Sequence, residues 1–338
     1  MPEQLESYSV FSPYELLTST TVYTYYFPAI YHNYDIPTWQ LLGFEGQGVE
    51  NVTVDPNLSS VLYVGTYEHG IYKSTDSGKS WQQSNNGLGD DPGKITGIEL
   101  ASNSSQVVYA TATHFPRFYR SRDGAESWQP GGDIGRIPKL LSIHPAIPGR
   151  LFVGAFPLPD LPGGEVYRSD DDGLSWQCVI TSQVLANSIV ASTLEPSLVY
   201  AGGNGIYRSQ DGGDSFVQLF DGLAFGNVWA IALHPTDSLT AYIATSVGVL
   251  KTTNRGDDWS PWTTDALREL LVDGHDPEIQ YATAYCAGVY LSHDEGRHWQ
   301  PMNAGLGNLC TNDLALDPTS TRLYAATEDG LWVIDLAE

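Results

Sequence analysis

Hydrophobic and polar positions alternate in short runs along most of the chain, and the same order of runs keeps returning. A unit opens with an apolar run that closes on a proline turn, as in Ile231-Ala232-Leu233-His234-Pro235. A run with a central aromatic follows, then a glycine turn and a third run such as Gly205-Ile206-Tyr207-Arg208. A polar turn leads into a fourth run. Short alternating runs bounded by Gly, Pro and Asp predict strands, so each unit predicts four antiparallel strands.

The polar turn recurs six times with the pattern Ser/Thr-x-Asp/Asn-x-Gly-x-x-Trp/Phe. Its acidic or amide positions are spaced by 47, 48, 40, 43 and 40 residues, and they are Asp76, Asp123, Asp171, Asp211, Asn254 and Asp294. The carboxylate can accept backbone N–H groups within the turn, and the glycine supplies a positive φ at low cost. We interpret these residues as structural. Ala125 replaces the glycine of the second turn, which predicts that this turn is strained or reshaped.

The aromatic of the second run counts the units independently and gives seven. The seven aromatics are Tyr63, Tyr109, Phe152, Tyr200, Tyr242, Tyr281 and Tyr324. The seventh unit lacks a fourth strand, and Thr38-Trp39-Gln40-Leu41-Leu42 near the amino end imitates one. A repeat of this period built of strands indicates blades around an axis. The prediction is an all-β chain, a seven-bladed β-propeller of four-stranded antiparallel blades over residues 37–338, with an amino-terminal strand completing the last blade.

The repeated turns resemble the Asp-box, or BNR, repeat over about 300 of the 338 residues. Sialidases, xyloglucan-active glycoside hydrolases, sortilin-type receptor domains and the photosystem II stability/assembly factor family share this repeat. The last is the nearest overall likeness, and sialidase-type propellers are more distant. The resemblance implies a propeller whose box residues are structural, and the assembly-factor family implies a non-catalytic, chaperone-like role. That family is exported and presents a basic patch, whereas this chain has a net charge of −24.

Charge narrows the range of partners. With 40 acidic against 16 basic residues, we expect no nucleic-acid binding, because that binding depends on Lys and Arg neutralising phosphates. No run approaches the ~20 apolar residues of a membrane span, so no membrane insertion is expected. The acidic start without a signal pattern favours a cytoplasmic location. The sequence does not indicate an oligomeric state.

Three cysteines, Cys178, Cys286 and Cys310, fall in different units and predict free thiols, with a Cys286–Cys310 bridge as the alternative. No histidine pair has metal-ligand spacing, so we predict no metal site and no cofactor. Residues 1–36 lie outside the repeat, and we expect an arm packed on the propeller or a cap over its channel.

Propellers usually bind ligands at the channel mouth, on the face away from the Asp turns. Candidate ligand-binding residues on the loops of that face are Tyr67, His69, His114, Arg117, Arg136, Asp160, Trp229, Arg268 and Tyr285. Arg136-Ile137-Pro138 is similar to an arginine motif of sialidases, with Gly135 in place of its aromatic. Candidate acids or bases are Glu50, Glu269 and Asp313, because paired carboxylates can cleave glycosides.

Two functional hypotheses follow. The first is a non-catalytic propeller scaffold that binds a protein or a small neutral ligand at the mouth. The second is an enzyme with its active site at the mouth, most plausibly a glycoside hydrolase-like activity in which Trp229 and Tyr285 stack the substrate.

Overall fold

The computed structural model describes residues 37–115, 117–156, 165–181, 185–221 and 226–336. Within them the chain forms 28 strands in seven sheets of four antiparallel strands. The predicted arm or cap at residues 1–36 and the candidate Asp160 lie outside the described residues.

In six blades the strands follow one another outward from the axis in the order of the chain, and in the last blade β26, β27 and β28 are followed by β1 as the outer strand. The innermost strands are β2 (Val49–Asp55), β6 (Ile95–Leu100), β10 (Pro138–Ile143), β14 (Ser188–Ala191), β18 (Val228–Leu233), β22 (Glu269–Val272) and β26 (Thr311–Leu316). The second strands are β3 (Leu58–Thr66), β7 (Val108–Ala112), β11 (Leu151–Ala155), β15 (Val199–Gly202), β19 (Ala241–Thr245), β23 (Gln280–Ala284) and β27 (Arg322–Thr327). The third strands are β4 (Ile71–Ser74), β8 (Phe118–Ser121), β12 (Val166–Ser169), β16 (Gly205–Ser209), β20 (Gly248–Thr252), β24 (Gly288–Ser292) and β28 (Gly330–Asp335). The outer strands are β5 (Gln82–Gln83), β9 (Gln129–Pro130), β13 (Gln177–Ile180), β17 (Val217–Asp221), β21 (Ser260–Thr263), β25 (Gln300–Pro301) and β1 (Gln40–Gly43).

The ring closes where the amino-terminal strand joins the last blade, as predicted. Strand β1 pairs antiparallel with β28, with Gln40 opposite Val333 and Gly43 opposite Leu331. The inner strands β26 and β2 contact each other across the same seam. Closure covers an edge that would otherwise expose unpaired backbone groups.

The core lies between the blades. Seven buried clusters of the described residues each draw on two neighbouring sheets. The seven aromatics used to count the units are all buried within these interfaces, with at most 4% of each side chain exposed. Burying an aromatic of this size stabilises a fold by roughly 2–3 kcal/mol. The repeated aromatic therefore holds neighbouring blades together.

All six polar turns have the same hydrogen bonds. In the first, the Ser74 hydroxyl donates to Asp76 Oδ1 over 2.8 Å, and Asp76 Oδ1 accepts the Ser80 N–H over 2.9 Å. In the second, Ala125 has a φ of 68° and still donates its N–H to Ser121 Oγ over 2.8 Å. The turn keeps its shape, and Ala125 bears the predicted strain because left-handed backbone is unfavourable for a side chain with a Cβ. The part of the chain that the structure describes contains no helix that could span a membrane.

Candidate functional site

The candidate residues lie on one face, because antiparallel strands return the chain to the same end of every blade. This face, called the mouth face here, comprises the starts of the inner strands, the turns between second and third strands, and the loops that lead into the next blade. The six polar turns lie at the opposite ends of their strands. The polar turns and the described candidate residues therefore lie at opposite ends of the blades.

One residue per blade bulges at the start of each inner strand. In five blades the register of pairing with the second strand shifts at this residue. In blade 4 the Asn187 N–H donates to the carbonyl of Gly202, although Gly202 is paired with the next residue, Ser188. In blade 6 the Arg268 N–H donates in the same way to the carbonyl of Thr283, which is paired with Glu269. These seven residues, called the mouth ring here, are Glu50, Thr96, Lys139, Asn187, Trp229, Arg268 and Asn312. A bulge redirects a side chain that regular pairing would bury, and bulges are frequent next to functional sites.

Three predicted candidates meet in a single stack. The Arg268 guanidinium lies 4.5 Å from the centre of the Trp229 ring and 4.6 Å from that of Tyr285. Tyr285 is 73% exposed, so the stack stands at the surface of the mouth face. The predicted role of the two aromatics in stacking a substrate stays a prediction, and in the structure both rings lie against Arg268.

Lys139, which was not among the candidate ligand-binding residues, lies on the same ring. Its ammonium donates to Asn187 Oδ1 and lies 5.9 Å from the centre of the Phe156 ring. Asn187 in turn donates to the Val228 carbonyl over 2.6 Å. Burial, with the charge of Arg268, lowers the pKa of Lys139 to about 8. The contact between Lys139 and Asn187 depends on a bulge that cannot be located from sequence without the strand register.

Glu50 does not stand free as an acid or base. Its Oε1 lies 2.6 Å from Lys94 Nζ, and Lys94 also donates to the Tyr67 hydroxyl over 3.2 Å and lies over the Tyr67 ring. Burial raises the pKa of Glu50 and outweighs the opposing effect of Lys94. Glu50 and Lys94 therefore form an ion pair in which Lys94 packs against the Tyr67 ring.

Glu269 and Asp313 are brought together, on the inner strands of adjacent blades. Their carboxyl groups lie close enough to share a hydrogen bond when one of them holds a proton. Burial raises the pKa of both groups, that of Asp313 to about 6, and the charge of Asp313 further raises the pKa of Glu269. Burial and the charge of Asp313 also raise the pKa of Glu99, a third inner-strand acid, to about 8. Sequence reasoning missed Glu99.

These two carboxylates also bond to the next blade. Asp313 Oδ2 accepts the Val52 N–H over 2.9 Å, and the Glu269 carboxyl group lies near the Leu314 N–H of the next blade. Ser188 uses the same position in blade 4, where its hydroxyl accepts the Ile231 N–H over 3.2 Å. Each side chain satisfies a backbone donor on an inner strand, which has no further strand on its axial side. These contacts link neighbouring blades at their inner strands.

The remaining candidates occupy separate settings. Arg136 Nε lies 3.0 Å from Glu165 Oε2, and His114 Nδ1 lies 3.4 Å from Asp91 Oδ2. Arg117 has a buried Nε without a hydrogen-bond partner among the described residues, and His69 is exposed beside its turn. Arg117, Arg136 and Arg268 share no contact among the described interactions. No group of three or more His, Cys, Asp or Glu within the described ranges is placed to hold a metal ion.

The expectation of free thiols was wrong for two cysteines. Cys286 and Cys310 form a disulfide, whereas Cys178 is free. The turn of blade 6 that bears Cys286 abuts the loop into blade 7, where Gly288 donates its N–H to the Leu309 carbonyl over 3.0 Å. The Cys286–Cys310 bridge, given as the alternative in the sequence analysis, is therefore the pairing that forms. It links the turn that bears Tyr285 to the loop that leads into blade 7.

Comparison with known proteins supports the fold. No family model matches the chain. A curated xyloglucanase of Hypocrea jecorina (strain QM6a) is 22% identical over 307 residues, which covers 86% of this chain and 30% of that protein. A solved GH74 xyloglucanase from Xanthomonas campestris has a TM-score of 0.68 at 18% identity and covers 88% of this chain and 53% of its own. A structure of YCF48 bound to D1 peptide has a TM-score of 0.68 at 11% identity, and the match covers 91% of this chain and 97% of the YCF48 chain.

The chain is thus a seven-bladed β-propeller that spans less than a third of the curated relative and about half of the GH74 structure, and nearly all of YCF48. Its structural neighbours include both enzymes and a protein solved with a peptide.

Proposed function

We propose that this protein is a non-catalytic propeller module that binds a partner protein through its mouth face. The observation that carries the proposal is the position of the exposed aromatics. Among the described residues they are Tyr67, Phe115, Phe156 and Tyr285, and each lies on a turn of the mouth face. Val247 and Leu309 add exposed aliphatic side chains to the same face. Aromatics are enriched in protein interfaces, so exposed aromatics distributed around one face suit a protein partner.

The distribution of these side chains favours a protein over a small neutral ligand. The four aromatics belong to blades 1, 2, 3 and 6, so they surround the mouth instead of converging on one pocket. A small molecule would contact one or two of them, whereas a protein surface can cover the rim. A likeness to YCF48 at this identity concerns the fold, and a peptide-binding role for this chain is part of our proposal.

We also assign the six polar turns to the Asp-box class, as scaffold without a ligand role. Their five carboxylates and the Asn254 amide are occupied by hydrogen bonds inside the turn, as Asp76 and Asp123 illustrate with their serine partners. A cytoplasmic location stays a prediction. A disulfide is more usual in oxidising compartments, so the Cys286–Cys310 bond favours a location outside the cytosol.

The second candidate function is a glycoside hydrolase, supported by the Glu269–Asp313 pair and the similarity to a xyloglucanase. Retaining and inverting enzymes hold their carboxyl groups about 5 Å and about 6.5–9.5 Å apart, to leave room for the sugar carbon or a water. Carboxyl groups in hydrogen-bond contact leave no such room. Hydrolysis of xyloglucan or chromogenic glycosides that Asp313→Asn abolishes would favour this alternative.

Peptide phage display tests the proposed binding. Peptides selected on the immobilised protein are labelled, and their affinity is measured by fluorescence anisotropy. We expect the double variant Phe115→Ser, Tyr285→Ser to bind at least about tenfold more weakly, since buried interface aromatics contribute well over 1 kcal/mol each. The matched control, Leu174→Ser with Leu239→Ser, removes exposed side chains from the opposite face and should bind normally. Loss of binding in the control alone would contradict the proposal.

A further inference from the structure

We propose that Lys139 and Arg268 form an anion subsite in the mouth ring that receives a carboxylate group of the bound partner. The inference rests on the proposed partner-binding function and specifies its chemistry. Both residues occupy bulge positions, so both side chains leave the sheet at the mouth. The remaining question is what the two cations bind.

Arg268 is held ready for a planar anion. The guanidinium carbon lies 4.5 Å from the centre of the Trp229 ring and 4.6 Å from that of Tyr285, and contact with aromatic faces leaves N–H groups of a guanidinium available. Among the described residues, no carboxylate pairs with it. A carboxylate accepts two parallel N–H bonds from such an edge, in the geometry that makes these pairs strong. The preorganised fork therefore suits a carboxylate.

Lys139 contributes a second, compact charge. Its ammonium has three donors, and its hydrogen bond to Asn187 uses one of them. Asn187 is itself fixed by its bond to the Val228 carbonyl, so the amine is positioned by a chain of contacts. Within the described ranges Lys139 forms no ion pair. Two donors remain for a ligand.

A chain of contacts links the two cations around the ring, because Lys139 bonds to Asn187, Asn187 bonds to the Val228 carbonyl, and Arg268 lies against the adjacent Trp229. Burial and the charge of Arg268 lower the pKa of Lys139 to about 8, in keeping with this arrangement. Lys94 and Arg136 on the same face each have a carboxylate within 3.0 Å, so their charges are already balanced. A negative charge between Lys139 and Arg268 would relieve their repulsion.

The surroundings favour one negative charge over several. The whole chain has a net charge of −24. A phosphate with two charges would meet more repulsion from this charge than a carboxylate with one. The carboxylate can come from the end of a chain or from an Asp or Glu side chain, and the experiment separates the two.

Nuclear magnetic resonance of the five lysines tests the subsite directly. Protein labelled with ¹³C at lysine Cε is titrated with pH, alone and with each of three probes. N-acetyl-phenylalanine presents a terminal carboxylate, acetyl-glutamate α-amide a side-chain carboxylate, and N-acetyl-phenylalanine amide none. We expect at least one acid to raise the pKa of Lys139 by about half a pH unit or more, because a bound anion stabilises the charged amine. Lys79, exposed on the opposite face, should not move. The acid that acts identifies the source.

Two variants control the measurement. Arg268→Gln should raise the pKa of Lys139 without any probe and reduce the response to the acids by more than half. Arg297→Gln removes an arginine that also stacks on a tryptophan, at 4.2 Å from Trp262, and should leave Lys139 unchanged. The subsite is overturned if neither acid moves Lys139, if the amide acts equally, or if Lys79 follows. Should the acids act while selected peptides bind regardless of their carboxylates, the subsite stands and its use by the partner is overturned.

Discussion

Removing Trp39 is the sharpest test of ring closure, because this side chain belongs to the segment that completes the last blade. Trp39 is 3% exposed, and its indole N–H donates to the Met302 carbonyl over 2.6 Å. Trp128 offers a matched comparison within a continuous part of the chain. It is also 3% exposed and donates to the Ser84 carbonyl over 2.8 Å.

The expected cost of Trp39→Ala follows from these contacts. Large-to-small replacement of a buried tryptophan costs about 3–5 kcal/mol. The lost hydrogen bond contributes about 1 kcal/mol of destabilisation, part of which overlaps with that range. We therefore expect the free energy of unfolding to fall by about 4 kcal/mol in both Trp39→Ala and Trp128→Ala.

Urea unfolding followed by far-ultraviolet circular dichroism measures both variants against the parent protein. Trp39→Phe serves as the conservative control and should lose less than half as much, since most of the buried apolar surface remains. If Trp39→Ala costs less than about 1 kcal/mol while Trp128→Ala costs the full amount, the seam does not contribute to stability and the reasoning is wrong.

Three further predictions concern acids, cysteines and turns. The pKa of Glu99 is raised to about 8, so the folded protein keeps a proton that the unfolded chain releases near pH 4.5. The free energy of unfolding should therefore fall as pH rises from about 4.5 to about 8. Glu99→Gln should make the urea midpoint depend less on pH over this range. An unchanged slope in the variant would contradict the prediction. Thiol titration of the native protein should find no more than one reactive cysteine, Cys178, and Cys286→Ser with Cys310→Ser should lower stability by about 3 kcal/mol for the 24-residue separation. Three reactive thiols would refute the disulfide. Ser121→Ala removes the acceptor of the buried Ala125 N–H and should cost about 1–3 kcal/mol in thermal unfolding, whereas Ser175→Ala at an exposed contact should cost less.

The fold was predictable because its signals are local and repeated. Each polar turn is built from residues within a few positions of one another, and each second-strand aromatic is buried by the same arrangement. Even the long-range pairing of β1 with β28 could be predicted by counting strands. The last unit lacks a fourth strand, and the amino-terminal segment supplies one strand that belongs to no other unit.

The site was less predictable because it depends on which blades face one another at the mouth. Trp229, Arg268 and Tyr285 were each identified as mouth residues, but their order in the stack depends on the bulge before β22. The contact between Glu269 and Asp313 depends on the same register, which sequence does not give. Free thiols were predicted because an odd number of cysteines argues against pairing. The Cys286–Cys310 disulfide forms because the two loops that bear these residues lie side by side, which the sequence does not give.

Pairing β1 with β28 has a consequence for synthesis on the ribosome. Gly43 emerges early, and its partner Leu331 is added 288 residues later. At about 5–20 residues per second, the first segment waits roughly 15–60 s for its partner. During that interval the nascent chain exposes an unpaired edge, and translation speed and chaperone access should govern how much of the product reaches its native state.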